Sequence, residues 1–132
     1  EKQAQSEYRH FGKMYRNGGV LVGLCLDEEG IPPTAEQRFE IAKKIRDRAS
    51  EYGIKPKNLV MDALTLTISA QQKESAETIK ALKMIKDRLG ICTTLGVSNI
   101  SFGLPRREIV NGTFFALALN NGLDACIINP IQ

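Results

Sequence analysis

The sequence predicts an α/β fold. Parallel strands alternate with crossover helices, and four such strands make half of a (β/α)8 TIM barrel. Three observations lead there. Four short apolar runs, at residues 20–26, 58–61, 91–95 and 125–128, are separated by longer segments of helical periodicity. Polar residues close these runs, Asp27, Asp62, Asn99 and Asn129, at intervals of roughly 30–37 residues, the length of one strand–helix unit. The chain has 132 residues, about half of the ~250 that a complete barrel takes. Crossovers of this kind are right-handed by default. Ligands of such folds sit at the carboxyl ends of the strands, so the four polar residues are expected to share one rim.

Each element has a local reason. Residues 1–17 carry Tyr8, Phe11, Met14 and Tyr15 at roughly helical spacing and end at Gly18-Gly19. Residues 20–26 are continuously apolar, which suits a strand buried on both faces. Asp27-Glu28-Glu29-Gly30 ends it. Thr34-Ala35-Glu36-Gln37 is a capping box. The helix it opens has Phe39, Ala42, Ile45, Ala49 and Tyr52 on one face, and Gly53 stops it. Residues 64–69 alternate Leu, Thr, Leu, Thr, Ile, Ser, yet read best as a long loop after Asp62. The next helix lies within residues 70–89, with Ile79, Leu82, Ile85 and Leu89 buried, and ends at Gly90. The stretch 96–105 holds Gly96, Ser98 and Gly103, small residues that let the backbone bend and a ligand approach. It looks built to present Asn99, whose amide both donates and accepts. Pro105 suits the first position of a helix running to Asn121, with Val110, Phe114, Leu117 and Ala118 inward.

Composition narrows the function. A net charge of +3, with Lys and Arg interleaved among Asp and Glu, is a solvated surface, not a nucleic-acid stripe. No apolar run approaches the ~20 residues of a membrane span. Cys25, Cys92 and Cys126 sit in apolar runs without C-x-x-C spacing, which points to reduced, buried thiols in a cytoplasmic protein. The single histidine, His10, leaves a zinc site or a nucleophilic triad without a base or ligand set. No phosphate-binding glycine loop follows any strand.

The polar strand ends each allow a plainer reading. Asp27 to Glu29 can be a solvated acidic turn. Asp62 can cap its own loop. Asn99 can hold a left-handed backbone, and Asn129 before Pro130 is a good turn former. Arg106 and Arg107, at a helix start where cations oppose the dipole, are either anion contacts or surface charge.

Taken together, the segments resemble a known family. Gly96-Val97-Ser98-Asn99-Ile100-Ser101 is similar to the seventh-strand motif of the methyltetrahydrofolate-dependent corrinoid methyltransferases. That group includes the pterin-binding domain of cobalamin-dependent methionine synthase. Its fold is close to dihydropteroate synthase. Residues 24–32 resemble the fifth-strand exit, and Val60-Met61-Asp62-Ala63-Leu64 the sixth, with Ala63 where the family often has Pro. Residues 122–130 resemble the eighth, so the likeness covers nearly everything from about Gly19.

The resemblance implies the C-terminal half of a pterin-binding barrel. It also implies methyl transfer from 5-methyltetrahydrofolate to a Co(I) corrinoid carried by a partner domain or protein. The Asn matching Asn99 hydrogen-bonds nitrogen-5 of the folate, and the Asp matching Asp62 binds the polar edge of the pterin. Ser98 and Asn129 complete the expected pterin rim. The family's other pterin motif, an Asp-x-Asn segment of the first half-barrel, has no counterpart here. This chain alone is therefore expected to bind the folate weakly or not at all, and to self-associate over its open half-barrel. Two alternatives remain: a dihydropteroate synthase-like pterin enzyme, or an inactive self-associating fragment.

Overall fold

The structure, a computed structural model, describes residues 18–130. The helix expected over 1–17, with His10, lies outside the described residues. Strands β1 (Leu21–Leu24), β2 (Leu59–Asp62), β3 (Cys92–Gly96) and β4 (Ala125–Ile127) form one parallel sheet in the order β1-β2-β3-β4. Helices α1 (Ala35–Glu51), α2 (Gln72–Leu89) and α3 (Arg107–Asn120) connect them. Strand order that never reverses is the barrel's order, not that of a doubly wound sheet.

The helix boundaries follow from local chemistry. Thr34 has extended backbone, and its hydroxyl oxygen accepts from the Gln37 N–H at 3.3 Å. The Gln37 side chain does reach back, but it accepts from the Thr34 hydroxyl at 2.9 Å. A distant cap helps, since the Ala35 N–H donates to Glu77 Oε2 of α2 at 2.8 Å. Gly53, Gly90 and Gly122 follow the three helices, all at positive φ, a conformation that costs glycine nothing. The third helix starts at Arg107 and not at Pro105, because Arg106 turns left-handed at φ 52° and breaks the chain between them. Residues 64–69 are a loop, as expected. Leu64 at φ 63° ends the extended backbone, and the Ile68 N–H donates to the Ile100 carbonyl at 2.9 Å.

The helices cover one face of the sheet. Leu59, Met61, Thr93 and Leu95 point into that side and are buried with Phe39, Ala42, Leu82, Ile85 and Phe114. The other face is open among the described residues, which corrects the expectation for the first strand. Gly23 and Cys25 are buried, but Val22 is 53% exposed and Leu24 44%. Their apolar character fits a second layer that the described residues do not supply. The thiols are corrected with it. All three are free, yet only Cys25 is buried, while Cys92 lies exposed on the open face. Two helix stripes are also rotated. In α2 Thr78 and Ala81 join Leu82 and Ile85 inside. In α3 Asn111, Phe114 and Ala118 are inside, and Leu117 is 52% exposed. No helix among the described residues is long and apolar enough to cross a membrane.

Candidate functional site

Asp62 closes β2 and stands on the open face, half-buried. Its neighbours in register are Leu24 of β1 and Thr94 of β3. Its Oδ1 accepts the Leu64 N–H at 2.8 Å, an Asx turn in which Leu64 adopts the left-handed conformation. Burial pushes the carboxyl above the ordinary carboxylate range, and the Leu64 N–H works against that rise. Oδ2 has no protein partner among the described residues. Beneath it the Cys25 thiol is pushed up to about 12 by burial and then by the Asp62 charge, so it is inert.

The stretch after β3 is more structured than an open turn. Val97–Ser101 is a 3-10 helix with Val97, Ile100 and Ser101 buried, which leaves Asn99 as its exposed residue. The Asn99 carbonyl accepts the Phe102 N–H at 3.2 Å. Its side-chain amide lies back over Gly96, where an added Cβ would sit 3.2 Å from Nδ2. Glycine at 96 is thus what lets the amide rest above the strand end. That amide has no hydrogen-bond partner among the described residues.

Side chains tie this turn to its surroundings. Arg107 donates from Nε to Ser101 Oγ at 2.9 Å and from Nη2 to the Ser98 carbonyl at 2.8 Å. It holds the turn, and neither expected role, anion contact or idle surface charge, describes it. Arg106 is exposed. Thr67 and Ser69, on the loop after β2, donate to the Phe102 carbonyl at 3.0 and 3.1 Å. The Asp62 loop and the Asn99 turn are therefore fastened together. Ser98 Oγ accepts the Asn129 N–H at 3.3 Å, which joins the turn to the end of β4.

The expected rim is only partly realised. Leu24, Asp62, Thr94 and Ala125 form one row across the open face, and Gly96 and Ile127 stand in the next. Ser98, Asn99 and Asn129 follow at the carboxyl ends of β3 and β4, one step beyond Asp62. Asp27 does not join them. It sits in an exposed acidic turn, with Oδ1 accepting the Glu29 N–H at 2.9 Å, beside a depression of about 430 Å³ against α1. Two residues near Asp62 were not anticipated. Thr94 is its neighbour on β3, and strict alternation through Thr93-Thr94 was the available signal. Arg38, buried on α1, bonds the carbonyls that follow Asp62, and no local pattern marks it. Among the described residues, no three His, Cys, Asp or Glu side chains converge as a metal site would need.

Comparison with known proteins identifies the family. The pterin binding enzyme family matches residues 27–129. Methionine synthase of Mycobacterium tuberculosis is 39% identical over 121 residues, covering 86% of this chain and 10% of that protein. Methionine synthase of Mycobacterium leprae is 38% identical over the same length. The methylcorrinoid:tetrahydrofolate methyltransferase of Eubacterium limosum is 30% identical over 111 residues, covering 83% of this chain and 41% of that protein. The chain thus spans about a tenth of the length of the two methionine synthases.

Proposed function

The chain belongs to the pterin-binding enzyme family, whose fold is the (β/α)8 barrel, and on that premise we propose that residues 1–132 form the C-terminal half of such a barrel. It supplies half of a pterin site for a cytoplasmic methyltransferase. The reaction is methyl transfer from 5-methyltetrahydrofolate to a Co(I) corrinoid held by a partner domain or protein. The names of its relatives support this: two are methionine synthases and one a methylcorrinoid:tetrahydrofolate methyltransferase. The observation that carries the reading is a pair of polar groups, Asp62 Oδ2 and the Asn99 amide, that have no partner among the described residues and stand on the face those residues leave open, at the carboxyl ends of the strands.

The chemistry assigns each a role. The amino-pyrimidinone edge of a pterin offers N–H donors, and the carboxylate oxygen that the Leu64 N–H does not occupy, Oδ2, can accept from it through its two lone pairs. Asp62 is that acceptor. Nitrogen-5 must gain positive character, or a proton, before its methyl group can leave. The Asn99 amide oxygen stabilises that charge more in the transition state than in the ground state. Ser98 and Asn129 border the same space. The corrinoid supplies the cobalt nucleophile that receives the methyl group, and no described residue of this chain is a histidine that could bind it. A dihydropteroate synthase reading wants a basic residue after β2 for its anionic substrate. Asp62-Ala63-Leu64-Thr65 has none, and Arg38 is turned inward onto backbone carbonyls.

Asn99→Ala in the complete barrel tests the assignment. The loss of one preorganised partner of the reacting atom lowers kcat by ~100-fold or more, while the folate Kd stays within about threefold. Single-turnover kinetics and calorimetric titration measure the two. Equal losses would reduce Asn99 to a binding residue.

A further inference from the structure

Arg38 lies in the first turn of α1, completely buried. It forms no ion pair with any described carboxylate. Its donors go instead to oxygens of three other segments. Nε donates to the Pro32 carbonyl at 2.8 Å. Nη1 meets the Ala63 carbonyl at 3.2 Å, the Leu64 carbonyl at 3.1 Å and Thr78 Oγ1 at 2.7 Å. The Thr78 hydroxyl lies within 3.1 Å of the same Leu64 carbonyl. Nη2 has no partner among the described residues. A buried cation spent on carbonyls is a poor stabiliser, because an apolar side chain of similar volume avoids its desolvation. Packing alone does not explain it.

Its targets do. Ala63 and Leu64 directly follow Asp62. Leu64 sits at φ 63°, a conformation that costs a non-glycine residue free energy and persists only where its surroundings hold it. In that conformation its N–H turns onto Asp62 Oδ1 at 2.8 Å. We propose that Arg38 is a positioning residue for Asp62. By fastening the Ala63 and Leu64 carbonyls it keeps Leu64 left-handed, so that one carboxylate oxygen is fixed and the other is free for a ligand. This rests on the reading of Asp62 as a pterin ligand. The same guanidinium ties α1, the loop before it and α2 to the loop that bears the site, so the position of Asp62 is set from behind the sheet.

Hydrogen exchange of the Leu64 amide reads the proposal directly. It is measured in the complete barrel for wild type, Arg38→Met, Arg38→Lys and Asp62→Asn, alongside titration with 5-methyltetrahydrofolate and steady-state kinetics. In Arg38→Met the Leu64 amide exchanges ~10-fold faster than the β2 and β3 amides account for. The folate KM rises ~10-fold while kcat changes less than about threefold. A merely structural role would lower the amount of active enzyme and leave KM alone. Arg38→Lys, with one cation and no fork, recovers part of both effects and carries the test if Arg38→Met does not fold. A Leu64 amide as protected in the folded variants as in wild type overturns the proposal. Unchanged folate affinity in Asp62→Asn overturns the pterin reading and the proposal with it, and the two failures are told apart by the Leu64 amide.

Discussion

At the scale of one residue, Asp62 couples charge to stability and, on the proposed reading, to binding. Burial raises its carboxyl, with the Leu64 N–H opposing. A carboxyl whose pKa is raised on folding binds its proton more tightly in the folded chain. Its ionisation therefore destabilises the fold as pH climbs from the unfolded value, ~4, through the folded one. Asparagine is nearly isosteric and its Oδ1 can still accept the Leu64 N–H. Asp62→Asn is thus expected to unfold at the same or a higher temperature than wild type at pH 7. The difference vanishes below the ordinary carboxylate pKa. In the complete barrel, the same substitution is expected to weaken pterin binding, and wild-type affinity is expected to decline as pH falls through the raised value. Thermal melts and titrations across that range check both. A lower melting temperature for the variant at pH 7 would show that the carboxylate stabilises the fold instead.

At the scale of elements, β4 is held by a side-chain clasp as well as by its ladder to β3. Only three of its residues pair with β3. The Thr93 hydroxyl donates to the Gly122 carbonyl at 2.6 Å, and the Thr93 N–H donates to Asp124 Oδ2 at 2.9 Å. Lys86 of α2 meets both Asp124 oxygens at 2.8 Å. Burial pulls the Asp124 carboxyl upward, but Lys86 and the Thr93 N–H outweigh it and hold it below the usual range. Its contribution is present above the ordinary carboxylate pKa and lost as pH falls through the depressed value, the opposite slope to Asp62. Thr93→Val keeps the side-chain shape but strands the Gly122 carbonyl. The expected cost is ~1–3 kcal/mol by urea unfolding, with the β4 amides losing exchange protection first. A change below about 0.5 kcal/mol, the range of ordinary surface substitutions, would mean that the clasp does not hold β4.

At the scale of the molecule, the open face dominates. Val22, Leu24, Val60, Cys92, Ala125 and Ile127 surround Asp62 and Thr94 on it, and Ile127 is 74% exposed. β1 and β4 are the edges of this sheet, each paired on one side only among the described residues. Contiguous apolar surface of this kind marks an interface. On its own the chain is expected to self-associate, with a second copy over this face. Light scattering on size-exclusion fractions checks it, and a monomer at every concentration would refute it. The same preparation is expected to bind 5-methyltetrahydrofolate weakly, since the pterin's remaining polar groups meet no partner in a half-site. Micromolar affinity by calorimetry would contradict that.

Much of this was legible in the sequence. Apolar runs, capping residues and helix-ending glycines act over a few neighbours, so the four strands, three helices and the loop after Asp62 could be read locally. Asp62 and Asn99 stood out as polar residues closing apolar runs, and their segments carried the family resemblance. Tertiary structure alone decided the rest. Register put Thr94 beside Asp62, and a one-residue shift would have turned it away. The single-sided helix layer left Val22 and Leu24 open, although their run reads as buried on both faces. Packing rotated α3, placing Asn111 inside and Leu117 outside. Arg38 finds its oxygens as far as 40 residues along the chain. Local pattern depends on adjacent residues, whereas a buried donor's partners depend on which distant carbonyls the fold brings within reach.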